Sequence, residues 1–195
     1  MIGGIVLAAG PGTRFGGSKQ LAELEGRPLL EHALDAPAAA GVERVVVVLG
    51  SEAEAVLARV DMRGAEPMVC ERWEEGQAAS LACGLGALED AEAAVVVLGD
   101  QPRVSPEAIG RVIAARGGTP AVRATYGGDP GHPVLIEREL FDRLCDVTGD
   151  HGARNLLRSV AMREVPAKGQ RDLAVPDVGR EHLCNLFAPH GHSSG

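Results

Sequence analysis

Three short apolar runs, Gly4–Leu7, Val45–Leu49 and Val95–Leu98, each lead into a glycine within three residues. None alternates apolar with polar residues, so each reads as a strand buried on both faces, the condition of a parallel sheet covered by helices on each side. The intervening stretches carry helical patterns. Pro28–Ala36 sets Leu29, Leu30, Ala33 and Leu34 on one face and is expected to stop at Pro37. Ser51–Val60 opens with Ser51 and Glu54 in capping-box spacing. Gly76–Leu88 and Pro106–Ala115 follow, the second with Ser105 as cap and Pro106 at its first position. Alternation of this kind predicts right-handed βαβ units in a three-layer α/β/α sandwich, a Rossmann-like, mostly parallel sheet.

After Gly117 the rhythm changes. A strand at Ala121–Thr125, a loop Tyr126–Pro133, a short strand Val134–Ile136, helices at Arg138–Asp146 and Gly152–Val160, a strand at Met162–Val165 and a helix near Val178–Phe187 are expected. No repeat or long linker divides the chain, so residues 1–189 read as one domain, followed by a disordered tail, His190–Gly195. His190 and His192 in that tail suggest a frayed end before a metal site.

The composition excludes several classes of partner. Net charge is −8 and aromatics make up only 3%, which argues against nucleic acid and anionic membranes. Apolar residues make up 45% of the 195, enough for a full core. The longest apolar stretches, Val45–Leu49 and Ala93–Leu98, are far short of a membrane span, and the start lacks a signal-peptide pattern. Cys70, Cys83, Cys145 and Cys184 form no C-x-x-C pair. Reduced cysteines and a cytoplasmic location are the expectation.

The first strand runs into Leu7-Ala8-Ala9-Gly10-Pro11-Gly12-Thr13-Arg14-Phe15-Gly16-Gly17-Ser18-Lys19. A glycine-rich turn at the carboxyl edge of such a sheet brings backbone amides to phosphate oxygens. Ala8 and Ala9 are small enough for a planar base to lie against the chain, while Arg14 and Lys19 supply cations. The dinucleotide fingerprint G-x-G-x-x-G fails at Phe15, and the Walker A pattern fails because Ser18-Lys19 reverses its Lys-Ser order. Only two of 19 basic residues are lysines, Lys19 and Lys168, and one of them stands in this loop. The third apolar run ends in Gly99-Asp100-Gln101-Pro102 on the same sheet edge. A carboxylate there can hold a magnesium ion that bridges phosphates, or simply organise a turn.

These residues resemble a known family. Leu7-Ala8-Ala9-Gly10-x-Gly12-x-Arg14-x-Gly16-x-x-Lys19 is similar to the opening motif of the MobA-like nucleotidyltransferases, which include the molybdenum cofactor cytidylyl- and guanylyltransferases. Trp73-Glu74-Glu75-Gly76-Gln77-Ala78-Ala79-Ser80-Leu81 resembles the segment that closes over base and ribose in the cytidylyltransferase branch, and Gly99-Asp100-Gln101-Pro102 its metal motif. Gly131-His132-Pro133-Val134-Leu135 and Gly149-Asp150-His151-Gly152-Ala153-Arg154 resemble its acceptor-side loops. The likeness spans about Ile5 to Leu157.

The resemblance implies a nucleotide-diphospho-sugar transferase-like fold and transfer of CMP from CTP to the terminal phosphate of molybdenum-bound molybdopterin, releasing pyrophosphate. It assigns Arg14, Lys19 and Asp100 to catalysis, with Asp100 the magnesium ligand. Leu7, Ala8, Ala9, Gly10, Gly12, Gln77 and Ser80 would contact the nucleotide, and Gly131, His132, Pro133, Asp150 and Arg154 the acceptor. Simpler roles stand beside these: Ser80 as a surface hydroxyl, Trp73 as a packed aromatic, His132 as a backbone-shaping residue, and Asp150 as the cap of its own helix. One departure is visible. Asp172-Leu173-Ala174-Val175-Pro176-Asp177 puts Ala174 where members carry a second metal carboxylate, leaving Asp172, Asp177, or phosphates and water to complete the shell. GTP as donor, another small phosphate as acceptor, and a non-catalytic nucleotide- or cofactor-binding chaperone of a molybdoenzyme are the alternatives.

Overall fold

The computed structural model describes residues 1–11 and 18–168. They build strands β1 (Ile2–Ala8), β2 (Glu23–Leu24), β3 (Arg27–Pro28), β4 (Arg44–Leu49), β5 (Glu66–Val69), β6 (Ala93–Leu98), β7 (Ala121–Tyr126), β8 (Asp129–Glu137) and β9 (Met162–Pro166). The helices are α1 (Leu29–Ala39), α2 (Ala53–Arg59), α3 (Gln77–Ala87), α4 (Pro106–Ala114), α5 (Phe141–Asp146) and α6 (Gly149–Ser159). Seven strands form one sheet in the order β5-β4-β1-β6-β8-β7-β9, and β2 with β3 makes a small separate hairpin. Strand β8 alone runs against its neighbours in the large sheet.

The continuous apolar runs are explained by the two cores they serve. Ile5, Leu7, Val46, Val48, Val96 and Leu98 point to one face, where α3, α5 and α6 bring Leu81, Leu85, Phe141, Leu144, Ala153 and Leu157. Val6, Ala8, Val47, Leu49, Val95 and Val97 point to the other, where α1 and α4 bring Leu30, Leu34, Ile109 and Val112. Alternate residues thus face opposite helical layers, and the expected three-layer sandwich is what forms.

Several local expectations are corrected. Helix α1 continues through Pro37 to Ala39. Proline cannot donate to the preceding turn, but near the end of the helix its carbonyl still accepts from Val42 while that of Ala36 accepts from Ala40. Ser51 does not cap α2: the chain leaving β4 closes a turn through Ala53 N to Gly50 O, Glu52 takes the N-cap place, and no side chain caps it. Ser105 does cap α4, its Oγ accepting from the Ala108 amide at 3.1 Å. The expected loop Tyr126–Pro133 is largely strand. Gly127 and Gly128, at φ 61° and 93°, form a two-residue hairpin turn, so that Tyr126 pairs with Asp129 and Ala124 with Gly131. Cys70 and Cys83 are joined as a disulfide, against the expectation of reduced thiols, because the end of β5 lies beside α3. The helix expected near Val178–Phe187, the tail His190–Gly195 and Cys184 lie outside the described residues. No helix among the described residues is long and apolar enough to cross a membrane.

Candidate active site

Strand β1 sits between β4 and β6, where successive crossovers change direction and open a crevice at the strands' carboxyl ends. The backbones there approach too closely for side chains. A Cβ at Gly50 would stand 2.2 Å from Ala9 O, and one at Gly99 would stand 2.9 Å from Ala8 Cβ. The Gly99 amide donates to Leu7 O at 2.8 Å. Leu7, Ala8 and Ala9 are buried beneath the crevice and Gly10 is exposed at its rim. Leu7 therefore builds the floor, with its carbonyl engaged by Gly99.

Gln20, which the sequence reading passed over, holds the return of the loop. Its Nε2 donates to Ala8 O at 2.7 Å and Gly10 O at 3.0 Å, while Oε1 accepts from Ser18 Oγ at 2.9 Å. A lone glutamine in a short 3₁₀ turn, Lys19–Leu21, carries no periodic signal. Its role exists only once both ends of the loop are close.

The structure brings Lys19 and Asp100 together at the sheet edge. Lys19 Nζ donates to Asp100 Oδ2 at 2.7 Å, with side chains 19% and 20% exposed. His132 lies behind them on β8, only 2% exposed. Burial pushes its imidazole down to about 4, opposed by the nearby Asp100 charge, so the ring is neutral at neutral pH. Its carbonyl accepts from Tyr126 Oη at 2.7 Å, and its peptide bond to Pro133 is cis. Gly131 packs under the Tyr126 ring, where a Cβ would stand 3.0 Å from two ring carbons.

The far wall is the start of α3. Trp73 is half-buried against the core, beside Gly50. Gln77 opens the helix, and Ser80 is 4% exposed, which overturns the surface-hydroxyl reading. Asp150 is corrected too. Helix α6 starts at Gly149 with Thr148 as N-cap and no side-chain cap, and Asp150 Oδ1 instead accepts from the Ala78 amide of α3 at 2.7 Å. Arg154 is half-buried in the second turn of α6. Gly12, Arg14, Asp172, Ala174 and Asp177 lie outside the described residues.

Among the described residues no three His, Cys, Asp or Glu side chains converge as a metal cluster. Magnesium, however, keeps its waters and is commonly held by one or two carboxylates together with substrate phosphates. Asp100, partly exposed and neutralised by a mobile-stemmed lysine, fits that mode of binding.

A mostly parallel sheet, a Lys–Asp pair at its switch point and a helical wall beside it are the frame of an enzyme of the nucleotidyltransferase class. The chain belongs to the MobA-like NTP transferase family, whose domain model matches residues 4–166. It is 35% identical over 164 residues, 80% of each chain, to nicotine blue oxidoreductase of Paenarthrobacter nicotinovorans. Rv0371c of Mycobacterium tuberculosis H37Rv superposes with a TM-score of 0.81 at 35% identity, covering 89% of this chain and 91% of that one. A complex of Rv0371c with manganese superposes at 0.77 with 32% identity, covering 89% and 92%.

Proposed function

We propose that this chain transfers the CMP group of CTP to the terminal phosphate of molybdenum-bound molybdopterin. An oxygen of the acceptor phosphate attacks the α-phosphorus of CTP, the bond to the β-phosphate oxygen breaks, and pyrophosphate leaves with that electron pair. The observation that carries the reading is the Lys19–Asp100 pair at 2.7 Å beside the loop that follows β1, set in a family of NTP transferases.

No protein nucleophile is required, so the chain's work is alignment and charge neutralisation. Ala9, Gly10 and Gly12 would offer close backbone approach to base and phosphates, with Leu7 and Ala8 as the floor beneath. Gln77 and Ser80 would face base and ribose. Lys19, released from Asp100, would join Arg14 on the phosphates and stabilise charge gathering on the departing pyrophosphate. Asp100 would hold a divalent cation, taken here as magnesium, which when bound offsets negative charge on the phosphates. Gly131, His132, Pro133 and Arg154 would line the acceptor side, His132 as a neutral ring. Soluble cytoplasmic residence and delivery of product to a molybdoenzyme or its maturation chaperone follow from the same reading.

Calorimetry with CTP, GTP, ATP and UTP in magnesium tests it. Preference for CTP that weakens in Asp100→Ala is the expected result, followed by pyrophosphate release with the molybdopterin acceptor. Preference for GTP moves the function to guanylyl transfer, and absence of binding overturns the phosphate-loop reading. The relative from Paenarthrobacter favours a second reading, oxidoreduction of nicotine blue or a related compound in the same crevice. Conversion of nicotine blue in the presence of a supplied electron donor would support it over nucleotidyl transfer.

A further inference from the structure

Helix α3 starts without a side-chain cap of its own, on Gly76 at φ 116° and ψ −175°, a conformation that side chains rarely adopt. A helix start leaves its first amides without intrahelical acceptors. Here the acceptor comes from 72 residues away, where Asp150 Oδ1 accepts from the Ala78 amide at 2.7 Å. The two positions are matched: a Cβ at Gly76 would stand 2.7–2.8 Å from the Asp150 carboxylate. That carboxylate reaches the amide because residue 76 has no side chain. Asp150 belongs to the first turn of α6, whose Ala153 and Leu157 share a core layer with Leu81 and Leu85 of α3. Gln77 and Ser80 stand in the turn that is capped.

We propose that Asp150 is a positioning residue that sets the nucleotide-facing first turn of α3 from the helix that bears Arg154, an assignment that rests on the nucleotidyltransferase reading above. Asp150 touches no reacting atom. It acts through the backbone of Ala78.

The test is the calorimetric Kd, with magnesium, for whichever of CTP, GTP, ATP and UTP the wild type binds tightest, read beside the melting temperature. Asp150→Ala and Gly76→Ala should each weaken binding by roughly five- to tenfold, the size of a lost cap. Asp150→Asn, whose amide oxygen still accepts, should stay within about twofold. Ser105→Ala removes the cap of α4 on the opposite sheet face and should lower the melting temperature without moving Kd. If Asp150→Ala does not fold, the contrast between Asp150→Asn and Gly76→Ala decides. Unchanged affinity in Asp150→Ala, or in Gly76→Ala where that contrast decides, overturns the positioning role alone, as does equal weakening in Ser105→Ala. A wild type that binds none of the four nucleotides overturns the reading of the site, and this role with it.

Discussion

Lys19 Nζ and Asp100 Oδ2 meet at 2.7 Å although 81 residues separate them in the chain. Each comes from a segment that leaves the carboxyl edge of the sheet, Lys19 from the return of the loop after β1 and Asp100 directly from β6. The pair keeps an acidic and a basic group half-withdrawn from water without leaving either charge unmatched.

Removing either partner should strike turnover. Lys19→Ala and Asp100→Asn are each expected to slow pyrophosphate release by two to three orders of magnitude, as when one preorganised donor worth about 3 kcal/mol is lost. Steady-state kinetics with magnesium would read this, and a loss smaller than tenfold for Lys19→Ala would remove it from the catalytic set.

Two glycines should respond in opposite directions. Gly50→Ala drives a Cβ to 2.2 Å from Ala9 O, backbone against backbone, and should destabilise the fold by about 3 kcal/mol, the upper end of ordinary overpacking. Gly86 is exposed within α3 with nothing near its absent Cβ. Gly86→Ala should stabilise by roughly 0.5–1 kcal/mol through lower unfolded-state entropy. Denaturant titration of both variants measures the contrast, and a neutral Gly50→Ala would contradict the close approach of β1 and β4.

His132 gives the fold an acid-sensitive element. Its imidazole is lowered by burial to about 4 from an ordinary 6.5, so between those values the unfolded chain takes up a proton that the folded chain does not. Stability therefore rises with pH across that window and is lost as pH falls through it, by about 3 kcal/mol in full. Urea unfolding at pH 7 and near pH 4.5 should show a smaller drop in His132→Phe than in wild type. Equal drops would mean that another group titrates there.

The Cys70–Cys83 link joins positions 13 apart in sequence and closes a loop that includes Trp73, Gly76, Gln77 and Ser80. Loops of this size are stabilised by about 3 kcal/mol in the chain-entropy account. Reductant should lower the melting temperature of wild type and leave Cys83→Ser unaffected, and non-reducing peptide mapping should recover the two cysteines together. A melting temperature indifferent to reductant would show that the link adds nothing to stability.

Much of the frame was legible locally. Apolar runs without alternation, glycines at their ends, and Ser105 followed by Pro106 are demands that a strand, a close approach or a helix start makes on its own few residues, and these were met. The misreadings also have local causes. Glycines and prolines in Tyr126–Pro133 carry a loop signal because turn formers mark a reversal without specifying its length. Gly127-Gly128 is a hairpin turn, and β8 extends to Asp129.

By itself the sequence determined the alternation of strand and helix, the buried character of the sheet and the residue types at its carboxyl edge, because hydrophobic burial and backbone sterics act over a few residues. Tertiary structure alone decided that Gln20 clamps Ala8 and Gly10, that His132 is sealed behind Asp100, and that Asp150 caps α3 instead of its own helix. Hydrogen bonds and desolvation depend on which groups are brought within about 3 Å. For residues 12, 32 and 72 positions apart, packing of the layers makes that choice.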